Sequence, residues 1–371
     1  MKYYLIAGER SGDLHGSNLM KELKKNDPSA EFRGFGGDYM VAQGLDLVVH
    51  YHDMAFMGLI ALFANLRTLL GRLKQCKQDI IAYKPDVVIL IDYGAFNKRI
   101  AKFCKKSNQK NYYYISPKVW AWYQLRALEL KRTVDRMFCI LPFEKDFFKK
   151  YDWEVDYVGN PVLDAVKAFQ PDLEFLAKNS IPSDKQIIAL LPGSRKSELT
   201  KIIPLMREVV MANPDYHFVV AAVKSMPDHL YQPITTFENV TLVFDSTYDL
   251  LDKAHAAIVT SGTATLETAL FKVPQVVVYK ANRLEFGLAK LMLKVDYISL
   301  VNLIVNKEAI RELLQKDAIP ENIIIELRRL VSDNHYREQM SNDYSQLLEI
   351  LDTGSASENA ARLMVGYLKN G

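Results

Sequence analysis

Short apolar runs alternate with amphipathic segments along most of the chain, and this alternation limits the folds open to it. The first half contains apolar runs at Tyr3 to Ala7, Phe32 to Phe35, Leu47 to Tyr51, Val87 to Ile91, Tyr112 to Ile115 and Met137 to Leu141. The second half contains runs at Ile187 to Leu191, Phe218 to Ala222, Val240 to Val243, Ala256 to Val259 and Gln275 to Val278. Strands that alternate with helices form parallel sheets covered by helices on both faces. The pattern therefore predicts an α/β protein with two Rossmann-like, doubly wound domains.

The chain has 371 residues, enough for two domains that each bury a core. A polar, proline-containing stretch from Gly159 to Asp184 separates the two groups of strands. The residues after Pro320 show a helical pattern without strands. We therefore expect a first domain over residues 1–165, a second over residues 166–339, and helices in the segment from about 340 to 371.

Composition and charge exclude several kinds of function for this chain. The net charge of +3 is too small to indicate nucleic-acid binding. Cys76, Cys104 and Cys139 are odd in number and lack CxxC spacing, which favours a reducing compartment over a structural zinc site. The chain enters a strand-like run without a signal-peptide pattern. Its longest uncharged run, Met54 to Leu66, is too short to span a bilayer, so we expect a cytoplasmic protein.

The segment from Ser261 to Glu267 follows an apolar run and begins a helical pattern. A glycine turn at such a point directs backbone N–H groups and the positive end of the helix dipole towards an anion. The segment therefore predicts a diphosphate site, in which Glu267 accepts the hydroxyls of a ribose. The alternative is a hydroxyl-rich helix cap with a capping-box glutamate. The candidate nucleotide-binding residues are Ser261, Gly262, Thr263, Thr265 and Glu267.

A second glycine turn, Pro192-Gly193-Ser194-Arg195, follows the apolar run that ends at Leu191. The planar guanidinium of Arg195 offers a fork of donors that suits a phosphate. Ligands of parallel α/β sheets collect at the carboxyl ends of strands, so we expect both loops at one edge of the same sheet. Two such loops in one half of the chain favour a nucleotide-diphosphate site.

The loop after the first strand, from Gly8 to Gly16, places Glu9, Arg10, Asp13 and His15 at the end of that strand. Its glycine spacing differs from GxGxxG, which argues against a dinucleotide cofactor. Polar groups at this position suit a sugar or its phosphate. A solvated turn is the alternative.

Asp92 ends the apolar run from Val87 to Ile91 and precedes another helical pattern. A carboxylate there is either a helix N-cap or a catalytic base whose pKa is raised by apolar surroundings. Further along, Trp120 and Trp122 follow the turn Ser116-Pro117. The two indoles could form a platform for a sugar or an acyl chain, or they could pack in the core.

The sequence predicts no metal site. His50 and His52 share one face of a strand but lack a third ligand. No Asp-x-Asp pair occurs in the chain. A transferase with a Mg²⁺-bridged diphosphate usually needs such a pair, so other groups must neutralise a leaving diphosphate.

The segment from Asp53 to Lys77 has an apolar helical stripe, and its first turns are apolar on the other face too. Basic residues follow directly. A fully buried helix is one explanation. The alternative is a helix end that lies in a membrane interface with its cations towards anionic head groups. The candidate interface residues are Met57, Leu59, Ile60, Phe63, Arg67 and Arg72.

Together these segments resemble lipid-A-disaccharide synthase, a glycosyltransferase family of Gram-negative bacteria, along nearly the whole chain and in order. The most specific strings are Trp120-Ala121-Trp122 and Ser261 to Glu267. The resemblance also rests on Gly8 to Gly16, Met57-Gly58, Asp92 with Phe96-Asn97, Ser116-Pro117, Leu141 to Glu144, Gly159 with Pro161, Leu191 to Arg195, Ser299-Leu300 with Asn302, and Glu312 to Gln315.

The resemblance implies a GT-B fold, in which two Rossmann-like domains are followed by C-terminal helices that return to the first domain. It implies transfer of 2,3-diacylglucosamine from UDP to the 6-hydroxyl of 2,3-diacylglucosamine 1-phosphate, which forms a β(1→6) disaccharide with inversion. Neither a cofactor nor a metal would take part. The partners would be these two substrates and the cytoplasmic face of the inner membrane, without nucleic acid. A homodimer is one state that the sequence leaves open.

The resemblance also assigns roles to residues on the donor side. Arg195, Asn302 and Gln315 would join the loop from Ser261 to Glu267 in holding UDP. This set adds two residues, Asn302 and Gln315, that the local patterns alone do not single out.

On the acceptor side, the resemblance makes Asp92 the base and places Glu9 and His15 near the acceptor. The remaining acceptor-side candidates are Ser11, Asp13, Asn97, Trp120 and Trp122. The chain departs from the family pattern at Ala61 and Ala95, where acidic residues are expected. These departures leave Asp92 without an obvious helper carboxylate.

Two other functions remain compatible with the sequence. One is a GT-B enzyme on a nucleotide-sugar without lipid chains, such as a UDP-N-acetylglucosamine 2-epimerase. The apolar segment from Met54 to Leu66 argues against it. The other is a membrane-attached nucleotide-sugar sensor without turnover, which the position of Asp92 disfavours.

Overall fold

The structure, a computed structural model, describes residues 1–54, 66–121, 123–281 and 295–370. The chain forms two compact units, one comprising Met1–Pro161 with Thr353–Gly371 and the other Val162–Asp352. Each unit is built on one parallel sheet with helices packed against it. The predicted α/β class with two Rossmann-like units is confirmed.

The sheet of the first unit is parallel throughout. Its strands are β1 (Lys2–Ala7), β2 (Glu31–Gly36), β3 (Leu45–His50), β4 (Val87–Ile91), β5 (Asn111–Tyr114), β6 (Arg136–Cys139) and β7 (Asp156–Tyr157). They lie in the order β3-β2-β1-β4-β5-β6-β7. All five side chains of β4 are buried, as expected for a central parallel strand covered on both faces.

The second unit repeats this arrangement with six strands. They are β8 (Ile187–Leu191), β9 (His217–Ala222), β10 (Val240–Phe244), β11 (Ala256–Thr260), β12 (Gln275–Tyr279) and β13 (Arg311–Leu314). Their order is β10-β9-β8-β11-β12-β13, again with parallel pairing throughout. The continuous apolar runs of the sequence correspond to these buried strands.

Helices connect the strands. In chain order the described helices are α1 (Arg10–Asn26), α2 (Asp38–Ala42), α3 (Leu66–Tyr83), α4 (Gly94–Lys106), α5 (Arg126–Thr133), α6 (Phe143–Lys149), α7 (Pro161–Ala168), α8 (Phe175–Lys178), α9 (Lys196–Met211), α10 (Gln232–Thr235), α11 (Thr247–Lys253), α12 (Thr263–Leu270), α13 (Leu300–Val305), α14 (Pro320–Ser332), α15 (Asn334–Leu351) and α16 (Ala356–Lys369). Short 3₁₀ turns span Tyr51–Asp53 and Asp228–Leu230.

The last two helices belong to different units. In α16, Ala360, Ala361 and Met364 are fully buried in the same core cluster as Leu19 and Leu23 of α1. The small alanines allow the two helices to approach closely. The predicted return of the C-terminal end to the first domain is therefore confirmed for α16.

Helix α15 packs in the second unit instead. The Tyr344 hydroxyl accepts a hydrogen bond from the Gln275 side chain at 3.3 Å and donates one to the Val273 carbonyl at 3.2 Å. Met340 is also buried. The units consequently divide after Pro161 and after Asp352.

Both sheets have a point where the strand order reverses direction. In the first unit it lies between β1 and β4, where Ala7 pairs with Ile91. In the second it lies between β8 and β11, where Leu191 pairs with Val259. Ligands of open parallel sheets bind in the crevice outside the strand ends at such a point. The sequence-predicted loops after β1, β4, β8 and β11 are the loops that flank these two points.

Candidate active site

In the first unit, the loops after β1 and β4 begin side by side. Glu9 follows β1 and is the N-cap of α1, while Asp92 follows β4. Between them, the ring of Tyr93 lies against the backbone of Gly8, where the Cβ of any other residue would overlap it. Gly8 is therefore needed for the close approach of the two loops.

Asp92 and Tyr93 both adopt the left-handed conformation, with φ values of 44° and 46°. Such a conformation costs a non-glycine residue roughly 1–3 kcal/mol and persists only where neighbouring groups hold it. The Asp92 carbonyl accepts hydrogen bonds from the Asn97 amide at 2.9 Å and from the Tyr113 hydroxyl at 2.6 Å. These buried donors hold the backbone that carries the Asp92 carboxyl.

The Asp92 carboxyl has a pKa raised to about 6. Burial is the main cause, and the negative charge of Glu9 adds to it. The charge of Lys118 and a hydrogen bond from the Tyr93 backbone N–H oppose the rise in this pKa. A carboxyl with a pKa near neutrality can accept a proton and release it again at physiological pH.

The other residues expected near the acceptor differ in their surroundings. Glu9 and Ser11 are exposed at the start of α1. His15 is half-buried, and burial lowers its pKa to about 4, so the imidazole is neutral at physiological pH. Asn97 is fully buried, and its amide also donates to the Ile91 carbonyl at 3.1 Å. Asn97 therefore acts on the backbone at Asp92.

Asp13, one of the acceptor-side candidates, contacts the backbone at the N-terminus of α2. It is buried, and its carboxylate accepts hydrogen bonds from the backbone N–H groups of Gly37, Tyr39 and Met40 at 2.7, 3.0 and 3.1 Å. These are the groups that a helix leaves without partners at its N-terminus, here that of α2. Asp13 therefore holds the N-terminus of α2, and its expected place on the acceptor side stays a prediction.

Trp120 is buried and meets the Phe143 ring edge to face, with ring centroids 4.9 Å apart. Nearby, the buried Glu144 carboxyl accepts hydrogen bonds from the Ser116 hydroxyl at 2.6 Å and the Leu141 backbone N–H at 3.0 Å. Burial raises the pKa of Glu144 to about 7. This packing agrees with the core alternative for Trp120, while Trp122 lies outside the described residues.

In the second unit, the predicted loops after β8 and β11 lie at the same edge of the sheet, as expected from the sequence. The Arg195 side chain is 68% exposed and donates to Glu198 at 2.9 Å. The same Glu198 carboxylate accepts from the backbone N–H groups of Ser194 and Arg195 at 3.0 and 3.2 Å. An anion that binds at this loop would therefore contact the Arg195 guanidinium. The backbone N–H groups of Ser194 and Arg195 beside it already donate to Glu198.

Sequence reasoning missed Glu198, although a signal for it exists. A glutamate three residues after a helix N-cap is the capping-box position, and Arg195 is the N-cap of α9. The spacing of Arg195 and Glu198 in the sequence therefore indicates this capping box.

At the β11 loop, Gly262 is the N-cap of α12, and Gly262 and Thr263 are exposed. Among the described residues, no side chain caps this helix end. Thr265 is buried instead, and its hydroxyl donates to the Gly262 carbonyl at 2.9 Å. The Ser261 hydroxyl donates to the Ile298 carbonyl at 3.2 Å. Thr265 thus shapes the turn, and the exposed groups are those of Gly262 and Thr263.

Glu267 is not a capping-box residue. Its carboxylate accepts a hydrogen bond from the Tyr248 hydroxyl at 3.0 Å. Burial raises the pKa of Glu267, and this hydrogen bond opposes the rise. Tyr248 lies against Phe169 and Phe271, with ring centroids 5.6 and 5.1 Å away. No sequence pattern pointed to Tyr248, because the contact joins two separate helices.

Asn302 and Gln315 both bind backbone groups. Asn302 is fully buried and donates to the Ile310 carbonyl and to Glu312 at 2.8 and 2.9 Å. Its oxygen accepts from the Ala309 and Ile310 backbone N–H groups. The Gln315 side-chain amide faces the Ala281 backbone and pairs with its N–H and carbonyl in the favourable orientation. Asn302 therefore helps to position the chain around Ala309 and Ile310, and its expected contact with UDP stays a prediction.

Of the expected membrane-interface residues, Met57, Leu59, Ile60 and Phe63 lie outside the described residues. Arg67 is exposed, and Arg72 lies 3.7 Å from Asp53 and donates to Gln75 at 3.0 Å. Among the described residues, no helix combines the length and the apolar character needed to cross a bilayer.

Comparison with known proteins decides the family. Residues 3–364 match the family model described as lipid-A-disaccharide synthetase. The chain belongs to this family. A lipid-A-disaccharide synthase of Syntrophus aciditrophicus is 36% identical over 98% of this chain and 97% of that protein. One from Geobacter sulfurreducens is 34% identical over 98% of this chain and 96% of that protein.

Solved structures of other proteins share the fold of this chain. The glycotransferase of kitacinnamycin superposes with a TM-score of 0.69 at 16% identity, over 99% of both chains. A Neisseria meningitidis UDP-GlcNAc 2-epimerase bound to UDP-GlcNAc gives 0.68 at 15% identity, over 100% of both chains. The GT-B fold is thus confirmed, and the family makes this chain a glycosyltransferase.

The raised pKa of Asp92 has a consequence for stability. Above about pH 4 the carboxyl ionises freely in the unfolded chain, whereas ionisation in the folded protein is opposed up to about pH 6. Folding therefore loses stability as the pH rises through this window. We expect Asp92→Asn, which cannot ionise, to equal the wild type near pH 4 and to be about 1–2 kcal/mol more stable at pH 8. Thermal melting across this pH range measures it.

The matched variant is Glu9→Gln, which removes a charge that raises the pKa of Asp92. In that background the stability gained by Asp92→Asn should be smaller. An advantage for Asp92→Asn that is the same at pH 4 and at pH 8 would contradict this account of Asp92.

Proposed function

We propose that this protein transfers 2,3-diacylglucosamine from UDP to the 6-hydroxyl of 2,3-diacylglucosamine 1-phosphate. The product is a β(1→6) disaccharide, and UDP leaves. The observation that carries the proposal is the half-buried Asp92, whose backbone is held in the left-handed conformation at the reversal point of the first sheet. A glycosyltransferase of this family needs a base on its acceptor hydroxyl, and Asp92 has the pKa for it.

In the proposed reaction Asp92 takes the proton of the acceptor hydroxyl. The hydroxyl oxygen forms a bond to the anomeric carbon as the bond from that carbon to the diphosphate oxygen breaks. Attack on the face opposite the leaving group inverts the anomeric centre. Glu9 helps by keeping the pKa of Asp92 high, since its charge disfavours a second negative charge nearby. We place the neutral imidazole of His15 near the acceptor as a hydrogen-bonding group.

The second unit would bind the donor. The exposed guanidinium of Arg195 and the N-terminus of α12 at Gly262 and Thr263 flank one reversal point. Both carry positive charge or partial charge, which a departing diphosphate needs in place of a metal ion. Glu267, positioned by Tyr248, is our candidate for the ribose hydroxyls. Ser261 and Gln315 complete the proposed donor side through the loops they hold.

We further propose peripheral attachment to the cytoplasmic face of the inner membrane. Diacylated substrates reside in a bilayer, so the enzyme must reach a membrane surface to meet them. The apolar residues from Met57 to Phe63 precede Arg67, which is exposed, and Leu70 on the next turn is 53% exposed. Apolar and cationic side chains together favour an anionic membrane interface.

The rival function, a UDP-N-acetylglucosamine 2-epimerase, shares only the fold. The epimerase resemblance stands at 15% identity, whereas the family match extends over residues 3–364. A mass-spectrometric assay with defined acylated glucosamine substrates separates the two functions. Release of UDP together with a disaccharide supports the transferase, and a change in the donor sugar without acceptor supports the epimerase.

Loss of the base should affect turnover and leave donor binding intact. We expect Asp92→Asn to lower kcat by about 10²- to 10⁴-fold with UDP affinity nearly unchanged. In the wild type, kcat/KM should rise with pH through about 6, because only the ionised carboxyl accepts a proton. Initial rates and UDP titrations measure both. Near-normal turnover in Asp92→Asn would transfer the base role to Glu9 or His15.

Loss of the Arg195 guanidinium, in contrast, should weaken the binding of UDP. We expect Arg195→Ala to weaken UDP binding by about 10- to 100-fold, the usual value of a charged hydrogen bond. The exposed Arg207→Ala, on the same helix, is the matched control and should bind UDP normally. The wild type should keep its activity in EDTA. Activity that is lost in EDTA and restored by Mg²⁺ would refute metal-free stabilisation of the leaving group by Arg195 and the N-terminus of α12.

The membrane proposal predicts the behaviour of Leu59→Asp/Phe63→Asp. If these side chains enter an interface, each contributes roughly 1.5–3 kcal/mol to binding, so the variant should stay folded but leave the vesicle-bound fraction. Leu173→Asp is the control, because Leu173 is exposed in the second unit. Vesicle flotation and circular dichroism decide it: an unfolded double variant would show that the residues belong to a core.

A further inference from the structure

The first unit contains a cavity of about 690 Å³ that the proposed reaction has not used. Three segments line it: the first turns of α4, the loop after β5, and the start of α5. The lining residues are Gly94, Ala95, Lys98, Arg99, Lys102, Pro117, Lys118, Val119, Tyr123, Arg126 and Glu129. Gly94 follows Asp92 by two residues, so the cavity begins beside the proposed base.

The charge of this cavity is unbalanced. Five of its lining residues are cationic, and Glu129 is the single carboxylate among them. Glu129 pairs with Lys98 at 3.0 Å and with Lys102 at 2.6 Å. Within the described part of the chain, no carboxylate lies within ion-pair distance of the remaining cations, Arg99, Lys118 and Arg126. Cations gathered around an open cavity without counter-charges indicate an anionic ligand.

The segment that contributes Tyr123 and Arg126 to the cavity also exposes apolar side chains. Tyr123, Leu125 and Leu128 are 55%, 74% and 37% exposed, and they surround Arg126 in sequence. The Arg126 guanidinium lies over the Tyr123 ring at 4.4 Å, which covers one face of the only aromatic ring among the described lining residues. Exposed apolar side chains next to cations fit a phosphate that carries acyl chains better than they fit a nucleotide.

We propose that this cavity binds the phosphate of the acylated acceptor, with Lys118 and Arg126 as its principal ligands and Arg99 beside them. The proposal rests on the proposed function and names the subsite that holds the acceptor. The phosphate on C1 and the reacting hydroxyl on C6 are separate groups, and C1 and C5, which carries C6, both flank the ring oxygen of the acceptor sugar. A phosphate held at Lys118 therefore leaves the hydroxyl free to reach Asp92, which is close enough for the charge of Lys118 to act on it.

The test uses the full-length protein and two acceptors in neutral detergent micelles: 2,3-diacylglucosamine 1-phosphate and the same sugar without its phosphate. For Arg126→Gln and Lys118→Gln we expect KM for the phosphorylated acceptor to rise by about 10- to 100-fold. KM for the unphosphorylated acceptor and for the donor should stay unchanged. The controls are Arg132→Gln on α5 and Lys105→Gln on α4, cations that do not line the cavity.

Equilibrium binding of 2,3-diacylglucosamine 1-phosphate without donor separates this proposal from the proposed function. If the wild type releases no UDP with either acceptor, the proposed function fails, and the binding measurement still tests the cavity. The subsite proposal would be overturned if the cavity variants raised KM equally for both acceptors, or if they left KM unchanged for both. Variants that lose attachment to phosphatidylglycerol vesicles but keep the preference for the phosphorylated acceptor would also overturn it, in favour of a lipid head group.

Discussion

The Asn97 amide joins the two strands between which the first sheet reverses its order. It donates to the carbonyls of Ile6 in β1, Ile91 in β4 and Asp92, at 3.4, 3.1 and 2.9 Å. Tyr113 adds a second donor to the Asp92 carbonyl from β5. These contacts hold Asp92 in its left-handed conformation, and the position of the carboxyl beside Glu9 follows from it. The chemistry proposed for the first unit therefore depends on one buried amide that holds the backbone at Asp92.

Several carboxylates of this protein differ in the number of backbone N–H groups that donate hydrogen bonds to them. Asp13, Glu198 and Glu312 each accept at least two backbone N–H bonds, so they stabilise loops and helix ends. Asp92 has few donors and a neighbouring negative charge, so its proton is held more tightly. Backbone donors alone do not decide the pKa, because the buried Glu144 accepts two backbone N–H bonds and still has a pKa raised to about 7.

Amphiphilic substrates set two requirements that ordinary sugar chemistry does not. A diacylated phosphosugar needs apolar surface for its chains and a cationic place for its phosphate. The first unit offers both in described residues, since Leu125 and Leu128 are exposed on the segment that contributes Arg126 to the cationic cavity. The second unit offers the polar glycine turns suited to a nucleotide. Each unit thus matches the chemistry of one substrate.

The sequence by itself determined the α/β class, the two groups of strands, and the strand-end positions of Asp92, Arg195 and the loop from Ser261 to Glu267. These features are local, because hydrophobic periodicity and turn residues mark strand ends directly. Only the tertiary structure decided which polar side chains face solvent and which satisfy the backbone. Asp13 stands among polar residues after a strand, yet its carboxylate accepts hydrogen bonds from backbone N–H groups at the N-terminus of α2. The cationic cavity was equally invisible, because three separated segments have to meet before their charges add.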